Sequence, residues 1–310
     1  MIEKSILVLG DVMLDRYIHG DAIRISPEAP VPVVHVTDEY ATVGGAGNVA
    51  NNLKKLEISC KLVGYKGNDS NGESLLNLLE SNDITYSIFD NLPHTITKTR
   101  VISRNQQMIR IDREGLGTLE KVDLEPVYSL LNQSKDNLFL VSDYAKGFCT
   151  EEMMTNLLSI AKGKNIPVLI DPKGRSWSKY KGAYLIKPNL QELEDLVGIS
   201  IPNDDLSIAN AGKKVREEFD IHCLIITRGN KGMTLITSDS VEHFPAKNVE
   251  VYDVSGAGDT SFAVIAMCIL NGERIEQAIK MAILASSYVV TKPQTYAISR
   301  SEFDSLRISV

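Results

Sequence analysis

The run Asp253-Val254-Ser255-Gly256-Ala257-Gly258-Asp259-Thr260-Ser261-Phe262 joins a glycine turn, an acid and the start of a helix. The helix follows from Phe262, Ile265, Ala266 and Ile269, which recur at i, i+3, i+4 and i+7 and predict one apolar face. The turn therefore opens a helix, where unpaired backbone N–H groups and the positive dipole end favour an anion. Its glycines remove side chains that would block close approach. An aspartate directly behind such a turn is out of place if the turn only holds a phosphate, because it sets negative charge beside negative charge. It makes sense as a base: Asp259 would take a proton from a substrate hydroxyl while the turn amides stabilise a transferring phosphoryl group. The plainer alternative is an acid in the first helical turn, favoured there by the dipole by at most about 1 kcal/mol.

A second glycine turn, Gly44-Gly45-Ala46-Gly47-Asn48-Val49-Ala50, also opens a helix. Asn48 offers a donor and an acceptor at the helix start, which suits a sugar hydroxyl, although a simple cap would use the same residue. Gly45, Gly47 and Ala50 also satisfy G-x-G-x-x-A, the fingerprint of a dinucleotide-binding oxidoreductase. That fingerprint belongs between the first strand and first helix of a βαβ unit. Here it follows a proline-rich segment, and Thr37-Asp38-Glu39-Tyr40 breaks the apolar run before it.

The elements that must position these turns alternate. Ser5–Leu9, Leu138–Ser142, Pro167–Ile170, Ala183–Ile186, Leu224–Thr227 and Thr234–Thr237 read as strands. Gly47–Leu56 and Glu151–Lys162 read as helices. This rhythm predicts an α/β fold, a mostly parallel sheet covered by helices, with ligands at the carboxyl ends of the strands. Two stretches break it: residues 12–41, with Pro27, Pro30 and Pro32, and residues 95–112, a strand pair without a crossover helix. Both read as a small β lid on a single domain spanning 1–310. Strict alternation would put Lys98, Arg100 and Arg104 on one lid face with Ile102, a basic surface suited to a sugar that already bears a phosphate; a solvated outer face is the alternative.

Composition is that of a globular protein: 310 residues, 43% apolar and 24% charged. A net charge of −7 without a Lys/Arg block argues against non-specific nucleic-acid binding. The four scattered cysteines show no zinc spacing and suit a reducing compartment, and the five histidines fall in no motif. A strand starts within five residues of the N-terminus, leaving no room for a signal peptide, and the longest apolar run, Phe262–Leu270, is far short of a membrane span. The expectation is a cytoplasmic protein with no membrane partner.

The paired glycine signatures, about two hundred residues apart, resemble those of ribokinase-type (PfkB) sugar kinases. Gly10-Asp11-Val12-Met13-Leu14-Asp15, Asn189-Leu190-Gln191-Glu192 and Thr227-Arg228-Gly229-Asn230-Lys231-Gly232 fit the family's order, so the resemblance spans the chain. It implies a ribokinase-like fold using ATP and magnesium. Asp259 would be the base and the amides of Gly256, Ala257 and Gly258 the anion hole. Asp15, Gly44, Gly45 and Asn48 would hold sugar hydroxyls, helped by Asp11. Asn189 and Glu192 would position magnesium through water, while Thr227, Gly229 and Gly232 would lie under the nucleotide. Asp253 lies where some members bind a monovalent cation.

Ile25–Val33, Ser103-Arg104-Asn105-Gln106-Gln107, Ser142-Asp143-Tyr144-Ala145-Lys146-Gly147 and Asp171-Pro172-Lys173-Gly174 resemble one branch, the bacterial D-glycero-β-D-manno-heptose 7-phosphate kinases. The branch implies phosphorylation at O1 to the 1,7-bisphosphate, for ADP-heptose and lipopolysaccharide synthesis, with Arg104 and Lys146 facing the substrate phosphate. Without a His-x-Gly-His motif the chain looks like the stand-alone form, and lid pairing in the family implies a homodimer. Gln294 stands where relatives of the branch often have glycine. The alternatives are a kinase for another sugar or sugar phosphate, an NAD-dependent oxidoreductase, and a non-catalytic sugar-nucleotide sensor.

Overall fold

The computed structural model describes residues 4–104, 106–114 and 123–308. In chain order its strands are β1 (Ser5–Gly10), β2 (Val12–Ile25), β3 (Pro32–Gly45), β4 (Ser59–Gly67), β5 (Thr85–Leu92), β6 (Thr97–Ser103) and β7 (Gln106–Arg113). There follow β8 (Leu138–Ser142), β9 (Val168–Asp171), β10 (Leu185–Ile186), β11 (Cys223–Thr227), β12 (Met233–Ile236) and β13 (Val241–Phe244). The helices are α1 (Ala46–Lys55), α2 (Ser70–Ser81), α3 (Glu125–Gln133), α4 (Glu151–Lys164), α5 (Leu190–Val197), α6 (Asp205–Glu218), α7 (Ala257–Leu270), α8 (Ile275–Val289) and α9 (Arg300–Ile308).

Among the described residues, one sheet runs β13-β12-β11-β10-β9-β8-β1-β4-β5, parallel except where β12 pairs with β11 and β13. It is buried on both sides, as strand β1 illustrates: Ile6 and Val8 enter one core, Leu7 and Leu9 the other. The first core is closed by α1, α2, α7, α8 and α9, the second by α3, α4, α5 and α6. Strands β4, β5 and β13 are not evident in the sequence, because lysines and glycines in β4, short polar residues in β5, and Glu242 and His243 in the four-residue β13 dilute the apolar pattern. Helix α7 differs from the expected amphipathic helix. It is buried on every side from Asp259 to Cys268, because α1 and α8 both pack on it.

A second sheet, order β3-β2-β6-β7, projects from the first. The segment expected to end at 41 runs on as β3 to Gly45, so the Gly44-Gly45 turn is the hinge between lid strand and α1. The prolines fall where expected, around the β2–β3 turn and at the start of edge strand β3. Strict alternation fails at Arg104. Strand β6 ends at Ser103, and Arg104 stands exposed in the β6–β7 turn with φ +49°. Asn105 lies outside the described residues. β1 lies between β4 and β8, and the carboxyl ends of β8, β9, β10 and β11 open towards the lid side of α7.

Candidate active site

The left-handed backbone of Gly256 (φ +79°) turns the chain into α7. A Cβ there would lie 2.7 Å from Thr295 Cγ2, so both backbone and neighbour require glycine. One turn into the helix, Asp259 is 7% exposed. Its Oδ2 accepts from Asn48 Nδ2 at 2.6 Å and its Oδ1 from the Tyr144 hydroxyl at 3.1 Å. Burial raises the Asp259 pKa above the usual carboxylate range, against the lowering effect of Asn48, Lys187 and Tyr144. Asn48 is buried, and Asn52 one turn on donates to its backbone carbonyl (2.9 Å) while accepting from the Thr260 hydroxyl (2.8 Å). The Asn48 amide is thus turned to the acid, where the sequence suggested a contact to sugar. Gly256 and Gly258 border a cavity of about 270 Å³ with Asp259, Tyr144, Asp171 and Lys187. Ala257 does not: its N–H donates to the Val254 carbonyl (3.3 Å), and the residue lines a neighbouring cavity.

On the lid side, Asp15 Oδ1 accepts from Arg100 Nη1 at 2.6 Å. A Cβ on Gly44 would fall 2.1 Å from Asp15 Oδ2, and one on Gly45 2.2 Å from the Asp11 carbonyl. These glycines let the lid strand pass against the first loop. Lys98 shares the Arg100 face and lies over the Tyr144 ring, 5.3 Å from its centroid; burial lowers its pKa. Lys146 Nζ is paired with Glu114 at 2.7 Å. Arg104, in its turn, lies about six residues along from Lys98, roughly 20 Å of extended strand, and off that face. Asp11 is not free for sugar either. It is 2% exposed and takes the backbone N–H groups of Tyr144 (2.8 Å), Lys146 (3.0 Å) and Phe148 (3.0 Å), so it holds the loop after β8.

Opposite the lid, Lys187 Nζ meets Asp171 Oδ2 at 3.0 Å, both beside Asp259; burial raises the Asp171 pKa against the lowering by Lys187. Asn189 caps α5 by accepting from the Glu192 N–H (2.8 Å), and Glu192 returns the bond to the Asn189 N–H (2.9 Å) while pairing with Lys173 (2.9 Å). Thr227, bridged to Asn189, borders both this cavity and a larger one of about 540 Å³. Gly229 and Gly232 line the larger cavity together with the apolar Met233, Val251, Ile283 and Val290. Its lining stops at Val290, whereas Thr295 packs beside Gly256 and contacts the Tyr17 hydroxyl at 3.4 Å. Gln294 is left-handed (φ +63°), a conformation in which glycine would be unstrained. The Asp253 carboxylate accepts from the Ser255 N–H at 2.8 Å. Among the described residues no group of three His, Cys, Asp or Glu side chains is arranged to hold a metal ion, and no helix is long and apolar enough to cross a membrane.

Residues 3–302 match the model of the pfkB family carbohydrate kinases. The chain is 41% identical over 301 residues to the bifunctional protein HldE of Geobacter sulfurreducens, covering 96% of this chain and 61% of that protein. It is 45% identical over 304 residues to the bifunctional protein HldE of Pseudomonas entomophila, covering 97% and 63%. The chain thus spans about three-fifths of the length of these curated relatives. Among solved structures it is similar in fold to phosphofructokinase-2 from Escherichia coli in complex with potassium (TM-score 0.83, 19% identity, 100% of this chain and 99% of that one). Arabidopsis thaliana ribokinase complexed with ribose and ATP is also similar (TM-score 0.80, 18% identity, 98% and 99%).

The chain belongs to the pfkB carbohydrate kinases.

This pfkB kinase is therefore ribokinase-like in fold and an ATP-dependent carbohydrate kinase in activity. The dinucleotide alternative fails on structure too: the G-x-G-x-x-A stretch follows β3, an antiparallel lid strand, not the first strand of a βαβ unit. Sequence reasoning gave no role to Tyr144, Lys187 or Asp171, which stand against or beside Asp259, nor to Asn52 and Thr260 behind it. Tyr144 and Asp171 lie inside the stretches that resemble the heptose branch, and Lys187 lies two residues before Asn189, so adjacency to those motifs is their signal in the sequence. Asp171, Asn189 and Glu192 border the 270 Å³ cavity, and their oxygen atoms are of the hard type that magnesium prefers, an ion that also keeps several waters.

Proposed function

We propose that this kinase phosphorylates D-glycero-β-D-manno-heptose 7-phosphate at O1, yielding the 1,7-bisphosphate for ADP-heptose and lipopolysaccharide synthesis in the cytoplasm. The observation that carries the reading is a buried acid and a lid cation that both touch Tyr144. Arg100 is committed to Asp15 and Lys146 to Glu114, while Lys98 rests on an aromatic face. Lys98 would receive the substrate phosphate while the anomeric hydroxyl lies at Asp259. The motifs shared with the heptose branch, and 41–45% identity to bifunctional HldE proteins, support the choice of sugar.

In this reading Asp15 accepts sugar hydroxyls beside Gly44 and Gly45, and Asp259 takes the anomeric proton. The amides of Gly256 and Gly258 receive charge from the transferring phosphoryl group. Thr227, Gly229 and Gly232 would carry the ATP phosphates and ribose, with the base in the apolar end of the 540 Å³ cavity. Asn189, Glu192 and Asp171 would hold magnesium through water; when bound, the ion spreads the negative charge of the ATP phosphates. Asp253 is the candidate for a monovalent cation. A homodimer is part of the proposal: Ile109 (55% exposed) and Ile111 (54% exposed) lie on the lid face opposite Lys98 and Arg100 and would be covered by a second lid.

Coupled ADP release with heptose 7-phosphate, fructose 6-phosphate, ribose and fructose tests the substrate. The heptose phosphate should give a kcat/KM at least tenfold above the others. Preference for an unphosphorylated sugar would refute the lid-phosphate contact.

A further inference from the structure

We infer that Tyr144 is a positioning residue for the base: its hydroxyl holds the Asp259 carboxylate in the orientation that accepts the substrate proton and keeps it ionised. This rests on the reading of Asp259 as the base. Both carboxylate oxygens have one neutral donor, Asn48 on Oδ2 and Tyr144 on Oδ1. Each oxygen has two lone pairs, so both donors can stay in place while the substrate hydroxyl approaches. Asn48 is locked by its own helix. Tyr144 comes from a loop, and the loop is pinned.

The pinning comes from Asp11, whose carboxylate takes the N–H groups of Tyr144, Lys146 and Phe148. Asp143 braces the same loop from behind: it accepts from the Ala145 N–H (2.6 Å) and the Tyr180 hydroxyl (2.5 Å), and pairs with Lys179. Gly10 and Ser142 are register partners in β1 and β8, so these anchors follow from adjacent strand ends. Burial first, and the charge of Asp259 next, hold the Tyr144 hydroxyl well above the ordinary tyrosine range, so it remains a donor. Its ring meanwhile carries Lys98 of the lid. One side chain therefore touches the base and the lid cation, and a substrate reaching from one to the other lies along it.

The other charged groups facing Asp259 are Lys187 after β10, Asp171 of β9, itself pushed up to about 7 by burial, and Asp15 of β2; Tyr144→Phe leaves all three in place. Removing the hydroxyl leaves Oδ1 without its donor in a buried site, so Asp259 should hold its proton to higher pH than in wild type. The experiment is the pH profile of kcat for Tyr144→Phe, saturated in ATP and in whichever sugar phosphate of the panel turns over fastest, beside wild type and Asp259→Asn. The acid limb should move up by about one pH unit, from the loss of one hydrogen bond to a charged group. The kcat deficit should approach about tenfold on the acid side and shrink towards alkaline pH, with KM for ATP unchanged. Should Tyr144→Phe fail to fold, 3-fluorotyrosine at 144, a stronger donor, should move the limb the other way. A uniform kcat loss with an unmoved limb, or no loss, would overturn the inference. If Asp259→Asn is inactive while the limb stays fixed, only the role of Tyr144 falls; if Asp259→Asn keeps turnover within a few-fold, both readings fall.

Discussion

The two walls of the cleft hold their carboxylates by different means. On the α7 wall, Asp259 is held by an amide and a phenol, and the nearby Lys187 is given to Asp171. On the lid wall, Asp15 is held by the Arg100 guanidinium, with side-chain exposures of 15% and 24%. A cation in direct contact would stabilise the ionised acid and blunt it as a base, whereas neutral donors orient it at less cost in basicity. A carboxylate that only accepts sugar hydroxyls gains from the ion pair, because it must stay charged. On the proposed reading, the α7 wall is arranged for a proton that moves and the lid wall for charges that do not.

The sharpest way to break this comparison is Asp259→Asn, which should lower kcat by about 10²–10⁴ with ATP affinity nearly intact, measured by single-turnover assay and nucleotide titration. In wild type, kcat should fall as pH drops through a value above the usual carboxylate range, since burial raises the Asp259 pKa and only the ionised form is a base. An acid limb below pH 4 would remove Asp259 from that role.

Next in size is Gly44→Ala. Its methyl would drive into Asp15 Oδ2, so the Asp15–Arg100 pair must shift. We expect KM for the sugar to rise more than tenfold, while KM for ATP stays within twofold. Gly258→Val offers a contrast, because a Cβ at 258 meets no protein atom within 4 Å. It should obstruct the cavity and depress phosphoryl transfer with little loss of thermal stability.

Lys98→Met should raise KM for a sugar phosphate by about 10- to 100-fold, the worth of one charge-assisted contact of roughly 1.5–3 kcal/mol. The effect should fall on KM rather than kcat, because the distant phosphate is unchanged by the reaction. Arg104→Ala, in the β6–β7 turn, should leave both constants of the monomer's own site within twofold. Equal effects of the two substitutions would mean that the lid turn, not the sheet face, meets the phosphate.

Local chemistry left its mark on the sequence wherever a function depends on neighbours in the chain. Two glycine turns opening helices, the acid directly behind one of them, and the α/β rhythm were all legible from short-range rules, whereas Asn189 and Glu192, expected to position magnesium, proved also to close a capping box. Tertiary structure alone decided the partners. The donors to Asp259 lie 211 and 115 residues away, and Arg100 lies 85 from Asp15. Which polar side chains meet is set by sheet order and by which strand ends are adjacent. Asp11 and Asp15 sit in one motif, yet one is spent on three backbone amides and the other faces the cleft. Arg104 left its expected face because β6 turned at Ser103, a boundary that side-chain alternation does not encode. Propensity and periodicity are short-range and survive in the sequence; a hydrogen bond between distant short side chains exists only once the sheet has brought their backbones together.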